Sequence, residues 1–224
     1  MVRRIAALLP AALLVAACSG GASPSPSASP VAHVVELSAA GIAIDGEQLA
    51  VGTETASAAI WLAQRLGAPT YASELNAGPV PALAGYSAEA TLCATTSSFL
   101  AWDQFLVTFY DGAFQYWSLN RSDKGSGWVA AATGETYEPK VAGASLIGAT
   151  QADVAAALGA GYAALDMTDM QPWPAGFVVG ATAAEILGSP RGWDWSRDPG
   201  SPALSGFYNA NGTLDRMSGG NCLL

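Results

Sequence analysis

The sequence contains a single histidine, His33, and this scarcity bears on several kinds of site. Ser-His-Asp and Cys-His catalysis need an imidazole held within about 3 Å of its target, and His-ligated zinc needs it at the metal. His33 follows a Ser- and Pro-rich stretch, which leaves it poorly placed for these roles. Gly-x-Ser-x-Gly, Ser-x-x-Lys, Walker and Gly-x-Gly-x-x-Gly patterns are also absent. The sequence therefore gives no support to hydrolase-elbow, penicillin-recognising and nucleotide-binding classes.

Basic residues are scarce as well, with 9 Lys and Arg against 18 Asp and Glu and a net charge of −9. An acidic surface repels phosphate backbones, so we expect no nucleic-acid partner. No apolar run has the roughly 18 residues that a membrane-spanning helix needs. The carboxylates lack the spacing of an EF-hand, and we expect neither a metal site nor a cofactor.

Residues 1–17 have the features of a secretory signal peptide. Arg3 and Arg4 are followed by the apolar stretch Ile5 to Val15 and then by small residues. Val15-Ala16-Ala17-Cys18 resembles the lipobox of bacterial lipoproteins, in which the Cys thiol takes a diacylglycerol. The resemblance implies that Cys18 holds the protein on the outer face of the cell membrane, with the membrane as its partner. A plain signal peptide, cut at an Ala-x-Ala-like site, is the alternative.

The rest of the chain divides into a linker and one domain. Residues 18–32 are rich in Ser and Pro and have no hydrophobic period, so we expect a disordered linker, about 46 Å long when fully extended. The chain as a whole is 51% hydrophobic, and residues 33–224 suffice for a single domain with a sizeable core.

Three cysteines are present. If Cys18 carries lipid, Cys93 and Cys222 are the pair that remains, and outside the cytoplasm we expect them to form one disulfide. Closing a ring of that length is worth about 5 kcal/mol in the chain-entropy model. Two free buried thiols are the alternative.

The first half predicts a strand at residues 34–37 and then a helix that ends at Leu66, where Gly67 and Pro69 stop it. The apolar spacing assigns its buried face to Ala59, Ile60, Ala63 and Leu66. Another strand is predicted at residues 128–132.

A hairpin is the clearest local signal. Phe105–Tyr110 and Ala113–Leu119 are aromatic and β-branched runs that Asp111-Gly112 joins, as a type I′ turn would. The predicted pairs are Phe109 with Phe114, Val107 with Tyr116 and Leu106 with Trp117. One face then carries Phe105, Val107, Phe109, Phe114 and Tyr116 as core. The other, mixed face carries Leu106, Thr108, Tyr110, Gln115 and Trp117.

The second half echoes the first. Thr150 is a predicted N-cap with Asp153 three residues on, and the helix it opens stops at Leu158-Gly159. A shorter copy of this pattern spans residues 179–188, and a second hairpin turn falls at Asn211-Gly212. We therefore predict an α+β fold of short helices on antiparallel sheet, with pseudo-repeats at about 34–132 and 140–224. Chance recurrence of Gly-Ala-Thr is the alternative.

The pattern Gly-x-Thr, then Leu-Gly, then hairpins resembles the repeat unit of β-lactamase-inhibitor-protein-like and BamE-like envelope domains. The stretch from Cys93 through Trp102 to Leu119 also resembles a group of uncharacterised secreted bacterial lipoproteins, in which a late Cys like Cys222 closes the domain. These resemblances imply a non-enzymatic domain that binds other proteins through its sheet. No family binding residue maps onto this chain.

The functional expectation is an envelope-tethered, non-catalytic binding or adaptor domain, with a protein or a glycan of the envelope as partner. Trp side chains anchor partners or stack on sugars, and the mixed hairpin face supplies further contacts. The candidate surface is Tyr110, Gln115, Trp117, Trp173, Trp193, Trp195 and Arg197. Core packing of the Trp residues, with Arg197 paired to Asp194, is the alternative.

Two other classes stay open. A carboxylate-dependent enzyme acting on cell-wall polysaccharide needs two acidic groups about 5–9 Å apart. The candidates are Asp103, Asp111, Asp166, Asp169, Asp194 and Asp198. Each also suits a turn, a strand end or a loop. The third class is a purely structural envelope protein.

The lipid anchor gives the first prediction. Burying two acyl chains in the bilayer contributes on the order of 20 kcal/mol to the free energy of membrane binding. The wild-type chain should therefore stay with the membrane fraction, and Cys18→Ser should be released from it. Intact mass should show a diacylglyceryl group on the wild type. Cys93→Ser is the control and should stay bound to the membrane. Equal membrane binding by Cys18→Ser and wild type would contradict the anchor.

Overall fold

The computed structural model describes residues 32–75, 97–121, 128–129, 135–168, 173–180 and 203–221. Within these ranges the chain is α+β, as predicted, with two helices and two sheets. The strands are β1 (Ala32–Ser38), β2 (Gly41–Ile44), β3 (Glu47–Ala50), β4 (Tyr71–Leu75), β5 (Ser97–Trp102), β6 (Phe105–Tyr110), β7 (Ala113–Asn120), β8 (Trp128–Val129), β9 (Thr136–Val141), β10 (Tyr162–Asp166), β11 (Ala175–Val179), β12 (Ala203–Tyr208) and β13 (Leu214–Gly220). The helices are α1 (Thr55–Leu66) and α2 (Gln151–Leu158).

The smaller sheet has the strand order β3-β2-β1-β9-β8. β1 runs parallel to β9 and antiparallel to β2. Asp45 and Gly46 join β2 to β3 with φ angles of 50° and 86°, the conformation of a type I′ turn. Val35 and Leu37 of β1 are buried in the core. The predicted strand at residues 34–37 is thus confirmed.

The larger sheet is antiparallel and has the order β10-β11-β12-β13-β7-β6-β5-β4. α1 precedes the four strands on one side, and α2 precedes the four on the other. The last strand of each group, β7 and β13, pair at the centre. The residue before each helix bridges to the start of a late strand: Glu54 to Ala113, and Thr150 to Thr213. The two halves of the large sheet therefore have the same element order.

α1 starts at a capped end and stops where the sequence predicts. The carboxylate of Glu54 accepts the backbone N–H groups of Ala56 at 3.0 Å and Ser57 at 2.9 Å. These bonds, the one from Ser57 first, hold the pKa of Glu54 below its ordinary value. Gly67 follows the helix at φ 76°, a left-handed conformation that favours glycine.

The predicted buried face of α1 is wrong for two of its residues. Leu66 is buried as expected, but Ile60 is 59% exposed and Ala63 is exposed. The residues that are buried are Ala58, Leu62 and Leu66. Alanine fills much of this helix, so several stripes look apolar, and the two leucines four residues apart decide which one packs against the sheets.

α2 and the second hairpin also follow the sequence prediction. Thr150 is the N-cap of α2: its hydroxyl accepts the N–H of Asp153 at 3.3 Å and donates to the Asp153 carboxylate at 2.6 Å. Gly159, at φ 67°, ends the helix. The turn at Asn211-Gly212 joins β12 to β13, as predicted. The predicted copy at residues 179–188 lies largely outside the described residues.

The first hairpin forms around the predicted turn. Asp111 and Gly112 have φ angles of 53° and 76°, which fit type I′. The predicted register, however, fails after the first pairs. The observed pairs are Tyr110–Ala113, Phe109–Phe114, Thr108–Tyr116, Val107–Trp117 and Leu106–Ser118. The predicted pairs Val107–Tyr116 and Leu106–Trp117 are therefore wrong.

The cause is a β-bulge, in which Gln115 has no partner residue on β6. An extra residue in one strand moves every later side chain of that strand to the opposite face. Tyr116 is therefore on the predicted mixed face, and Trp117 is on the core face. Trp117 is fully buried, and its indole N–H donates to the carbonyl of Ser38 at 2.8 Å.

The core lies between the smaller sheet, α1 and one face of the larger sheet. We call this the core face. It is the face of Phe105, Val107, Phe109, Phe114, Trp117, Leu119 and Met217, all of them buried. The opposite face of the larger sheet carries Leu106, Thr108, Tyr116, Ser118 and Asn120 from β6 and β7, because side chains alternate along a strand.

The corrected helix face gives the second prediction. Leu62→Ala should lower the free energy of unfolding by about 2–5 kcal/mol, because it leaves a cavity in the core. Ile60→Ala on the same helix is the matched control and should change it by no more than about 0.5 kcal/mol. Urea denaturation measures both. Similar losses for the two variants would contradict the observed face.

Candidate functional site

A row of polar side chains crosses the face of the larger sheet opposite the core face, which we call the second face. Its members come from β6, β7, β12 and β13, and each is buried. They are Thr108, Ser118, Asn120, Ser205, Arg216 and Ser218, which we call the polar row. Strand pairing sets Arg216 opposite Asn120, and Ser218 opposite both Ser118 and Ser205. Polar side chains are buried less often than apolar ones, so a row of six buried polar side chains on one sheet face needs a specific explanation.

Hydrogen bonds connect members of the polar row. The hydroxyls of Ser205 and Ser218 lie 2.9 Å apart, and Arg216 Nε donates to Ser118 Oγ at 3.5 Å. Thr108 Oγ1 is fully buried and has no hydrogen-bond partner in the part of the chain that the structure describes. A buried hydroxyl without a partner is uncommon, and this one lies at the β6 end of the row.

The row ends at a more accessible group of side chains. We call Trp173, Asn209, Thr213, Asp215 and Arg121 the Trp173 rim. The Trp173 indole N–H donates to Asp215 Oδ2 at 3.3 Å, and Asn209 Nδ2 donates to Asp215 Oδ1 at 3.5 Å. Arg121 Nη1 donates to Thr213 Oγ1 at 3.2 Å. Arg121 is exposed and the other four are half-buried, so the rim is open to a partner.

The ring of Trp173 is held in place by its neighbours. Its centroid lies 5.4 Å from that of Phe207, and the guanidinium of Arg216 lies 5.9 Å from the ring. The second distance is within the range of a cation–π contact. The accessible rim therefore adjoins the buried polar row through the contact of Trp173 with Arg216.

The described residues include four Lys or Arg side chains, and two of them lie at or beside the rim. Arg65 pairs with Glu47, and Lys140 with Glu138 at 3.7 Å. Arg121 is an exposed member of the rim, and Arg216 is buried in the adjoining polar row. On a chain with net charge −9, the exposed guanidinium of Arg121 and the half-buried carboxylate of Asp215 give the rim both a donor and an acceptor for a partner.

The residues predicted for the mixed hairpin face lie in different environments in the structure. Tyr110 is half-buried at the hairpin end, where burial first, and then Asp111 and Tyr116, raise its pKa to about 12. Gln115 accepts a hydrogen bond from Asn221 Nδ2 at 2.7 Å. Trp117 is in the core, so its predicted place on a binding surface is wrong; the bulge at Gln115 is the reason. Trp193, Trp195, Arg197, Cys18, Cys93 and Cys222 lie outside the described residues.

His33 is better placed than the sequence suggested, because it is the second residue of β1. Its Nδ1 lies 2.6 Å from Asp45 Oδ2, and its Nε2 lies 3.6 Å from Glu135 Oε1. The ring stacks on Tyr137 with centroids 5.2 Å apart. The side chain keeps 27% of its surface exposed in a cleft of about 430 Å³. We call His33, Asp45, Glu135 and Tyr137 the His33 cluster.

The described residues of the His33 cleft do not form a Ser-His or Cys-His pair. The described residues lining its cleft are His33, Ile44, Asp45, Glu47, Gln64, Arg65 and Glu135, and none of them is a hydroxyl or thiol nucleophile. The imidazole lies between Asp45 and Glu135, so these carboxylates do not face each other across an open gap, as a glycosidase pair must. Among the described residues, no group of three or more His, Cys, Asp or Glu side chains is arranged to hold a metal ion.

The predicted acidic candidates are dispersed. Asp103 and Asp111 occupy turns with positive φ at opposite ends of β6. Asp166 ends β10, where its carboxylate accepts the N–H of Thr168 at 3.1 Å. Asp169, Asp194 and Asp198 lie outside the described residues.

Sequence reasoning missed Asp215 and Arg216 although a signal was present. In Leu214-Asp-Arg-Met-Ser218, a strand after Asn-Gly, the alternation puts Arg216 and Ser218 on one face and Met217 on the other. That pattern would have predicted a polar second face.

Comparisons with known proteins assign the chain to no family. No protein-family model matches the chain, and no curated protein and no solved structure matches it significantly. In the described part of the chain, neither helix has the length and apolar character needed to cross a membrane.

Proposed function

We propose that this chain is a lipid-anchored protein on the outer face of the cell membrane whose α+β domain binds a protein partner without catalysis. The anchor is Cys18 and the linker follows it. The contact surface is the Trp173 rim. The observation that carries the proposal is this accessible group of polar side chains around a Trp whose ring is in contact with Phe207 and Arg216.

The chemistry of the rim favours a protein over a glycan. Trp and Arg are the side chains most enriched in the energetic centres of protein interfaces. A sugar stacks on an open aromatic face, whereas the Trp173 ring already has Phe207 and Arg216 as neighbours. Its edge and the groups beside it, Asp215 and Arg121, suit hydrogen bonds to peptide groups.

We also infer that the domain is a diverged duplication with one disulfide, Cys93–Cys222. Several matched features support the duplication. Each helix follows a glycine with positive φ, Gly52 at 90° and Gly148 at 85°, and an N-cap residue two positions later. Four strands follow each helix, and the last strands of the two groups pair. The loss of both thiol hydrogens in the intact mass would test the disulfide.

Paired variants test the binding proposal. The rim variant combines Trp173→Ala with Arg121→Gln. The control variant combines Trp61→Ala with Lys140→Gln, which removes a half-buried Trp and one positive charge elsewhere. Each full-length chain is immobilised in detergent and incubated with solubilised envelope proteins and, separately, with purified wall polysaccharide.

The expected result is that a protein retained by the wild type and the control binds at least about tenfold more weakly to the rim variant, because losing one interface anchor costs about 1.4 kcal/mol or more. Equal retention by all three chains would end the rim proposal. Rim-dependent retention of polysaccharide alone would replace the protein partner with a glycan. Retention of neither by the wild type would favour a purely structural role.

A further inference from the structure

We propose that the His33 cluster is a pH-sensitive clasp that fastens the start of β1, where the predicted linker joins the domain, to the β2–β3 turn and the start of β9. The clasp bears on how the domain is held and not on what it binds, so it stands apart from the proposed function. It rests on the position of one imidazole between two carboxylates.

The geometry ties three separate parts of the chain. His33 is the second residue of β1, Asp45 is in the turn after β2, and Glu135 immediately precedes β9. The contacts of 2.6 Å and 3.6 Å lie on opposite nitrogens of the ring. A protonated imidazole donates from both nitrogens, whereas a neutral one donates from only one. Protonation of His33 therefore completes the clasp, and deprotonation leaves one carboxylate without a donor from His33.

The other groups around His33 have their own partners. Tyr137 stacks on the ring, and its hydroxyl donates to Glu135 Oε2 at 3.1 Å and also contacts the carbonyl of Arg65. The Arg65 guanidinium, from α1, pairs with Glu47 of β3. The charged residues on the opposite face of the smaller sheet, by strand alternation, are Glu36, Glu138 and Lys140. In the described part of the chain, the charges in contact with His33 are thus those of Asp45 and Glu135, and the Arg65–Glu47 pair lines the same cleft.

The direction of the pH effect follows from these contacts. The hydrogen bond to Asp45 is the largest cause, and it raises the pKa of His33 above its ordinary value of 6.5. Partial burial is the second cause and lowers the pKa, whereas the charges of Asp45 and Glu135 and a hydrogen bond to Glu135 raise it further. A raised pKa in the folded state means that the clasp is fully stabilising below the pKa of the unfolded chain. That stabilisation is lost as pH rises through the pKa of the folded state. The window therefore runs upward from the ordinary histidine pKa of 6.5.

His33 is the single histidine of the chain, so its NMR titration is free of overlap. The midpoint in the folded full-length chain should exceed that in the urea-unfolded chain. Asp45→Asn should lower the folded midpoint, and Glu135→Gln should lower it less because its contact is longer. Asp111→Asn is the matched control, because both Asp residues precede Gly in a type I′ turn that Asn also accepts. It should leave the midpoint unchanged.

A second measurement covers stability. The difference in Tm between wild type and His33→Gln should be largest at low pH within about pH 5.5–8.5 and should shrink as pH passes the His33 midpoint. A folded midpoint at or below the unfolded one would overturn the clasp. So would equal shifts in Asp45→Asn and Asp111→Asn, or a Tm difference that does not vary with pH.

Discussion

The position of Trp117 is the constraint on which the rest of this structure depends. Its side chain is fully buried between the two sheets, and its indole N–H donates to the carbonyl of Ser38 at the end of β1. On the neighbouring strand the paired residue is Gly219, where a Cβ atom would come within 2.7 Å of the indole ring. The indole occupies the space that this glycine leaves, at the point where the two halves of the larger sheet meet. A single large side chain therefore joins both halves to the smaller sheet.

The bulge at Gln115 is what directs Trp117 into the core, and it also determines the second face. Without the extra residue, Tyr116 would point into the core and Trp117 would lie with Leu106 and Thr108. With it, the second face receives Tyr116 and Ser118 from β7, opposite the small and polar residues of β13. Ser118 and Asn120 thus belong to the polar row because of a one-residue change in register.

These two features also show how far the sequence predicts the structure. Local signals worked where a residue type is required by conformation: Asp-Gly and Asn-Gly marked the turns, Thr150 marked a helix start, and Gly67 marked a helix end. The bulge was missed because its extra residue is an ordinary Gln, with no glycine to mark it. The face of α1 was misassigned because alanine carries little information about burial. In both cases tertiary packing, through Trp117 and Leu62, decided between local options that look alike.

The His33 cluster was missed for a different reason. Its members are distant in sequence, and they meet because β1 runs parallel to β9, a pairing that turn and period signals do not reveal. Parallel pairing at this position has a mechanical consequence. β1 lies between β2 and β9, and its first residues connect to the predicted linker, so any pull from a membrane anchor would act on the end of β1 that the His33 cluster holds. The hydrogen-bonded contact with β9 resists such a pull along its whole length, whereas the ion pairs of His33 act at the second residue of the strand. Protonation of one imidazole would therefore change the local resistance at the point of attachment while leaving the core around Trp117 as it is.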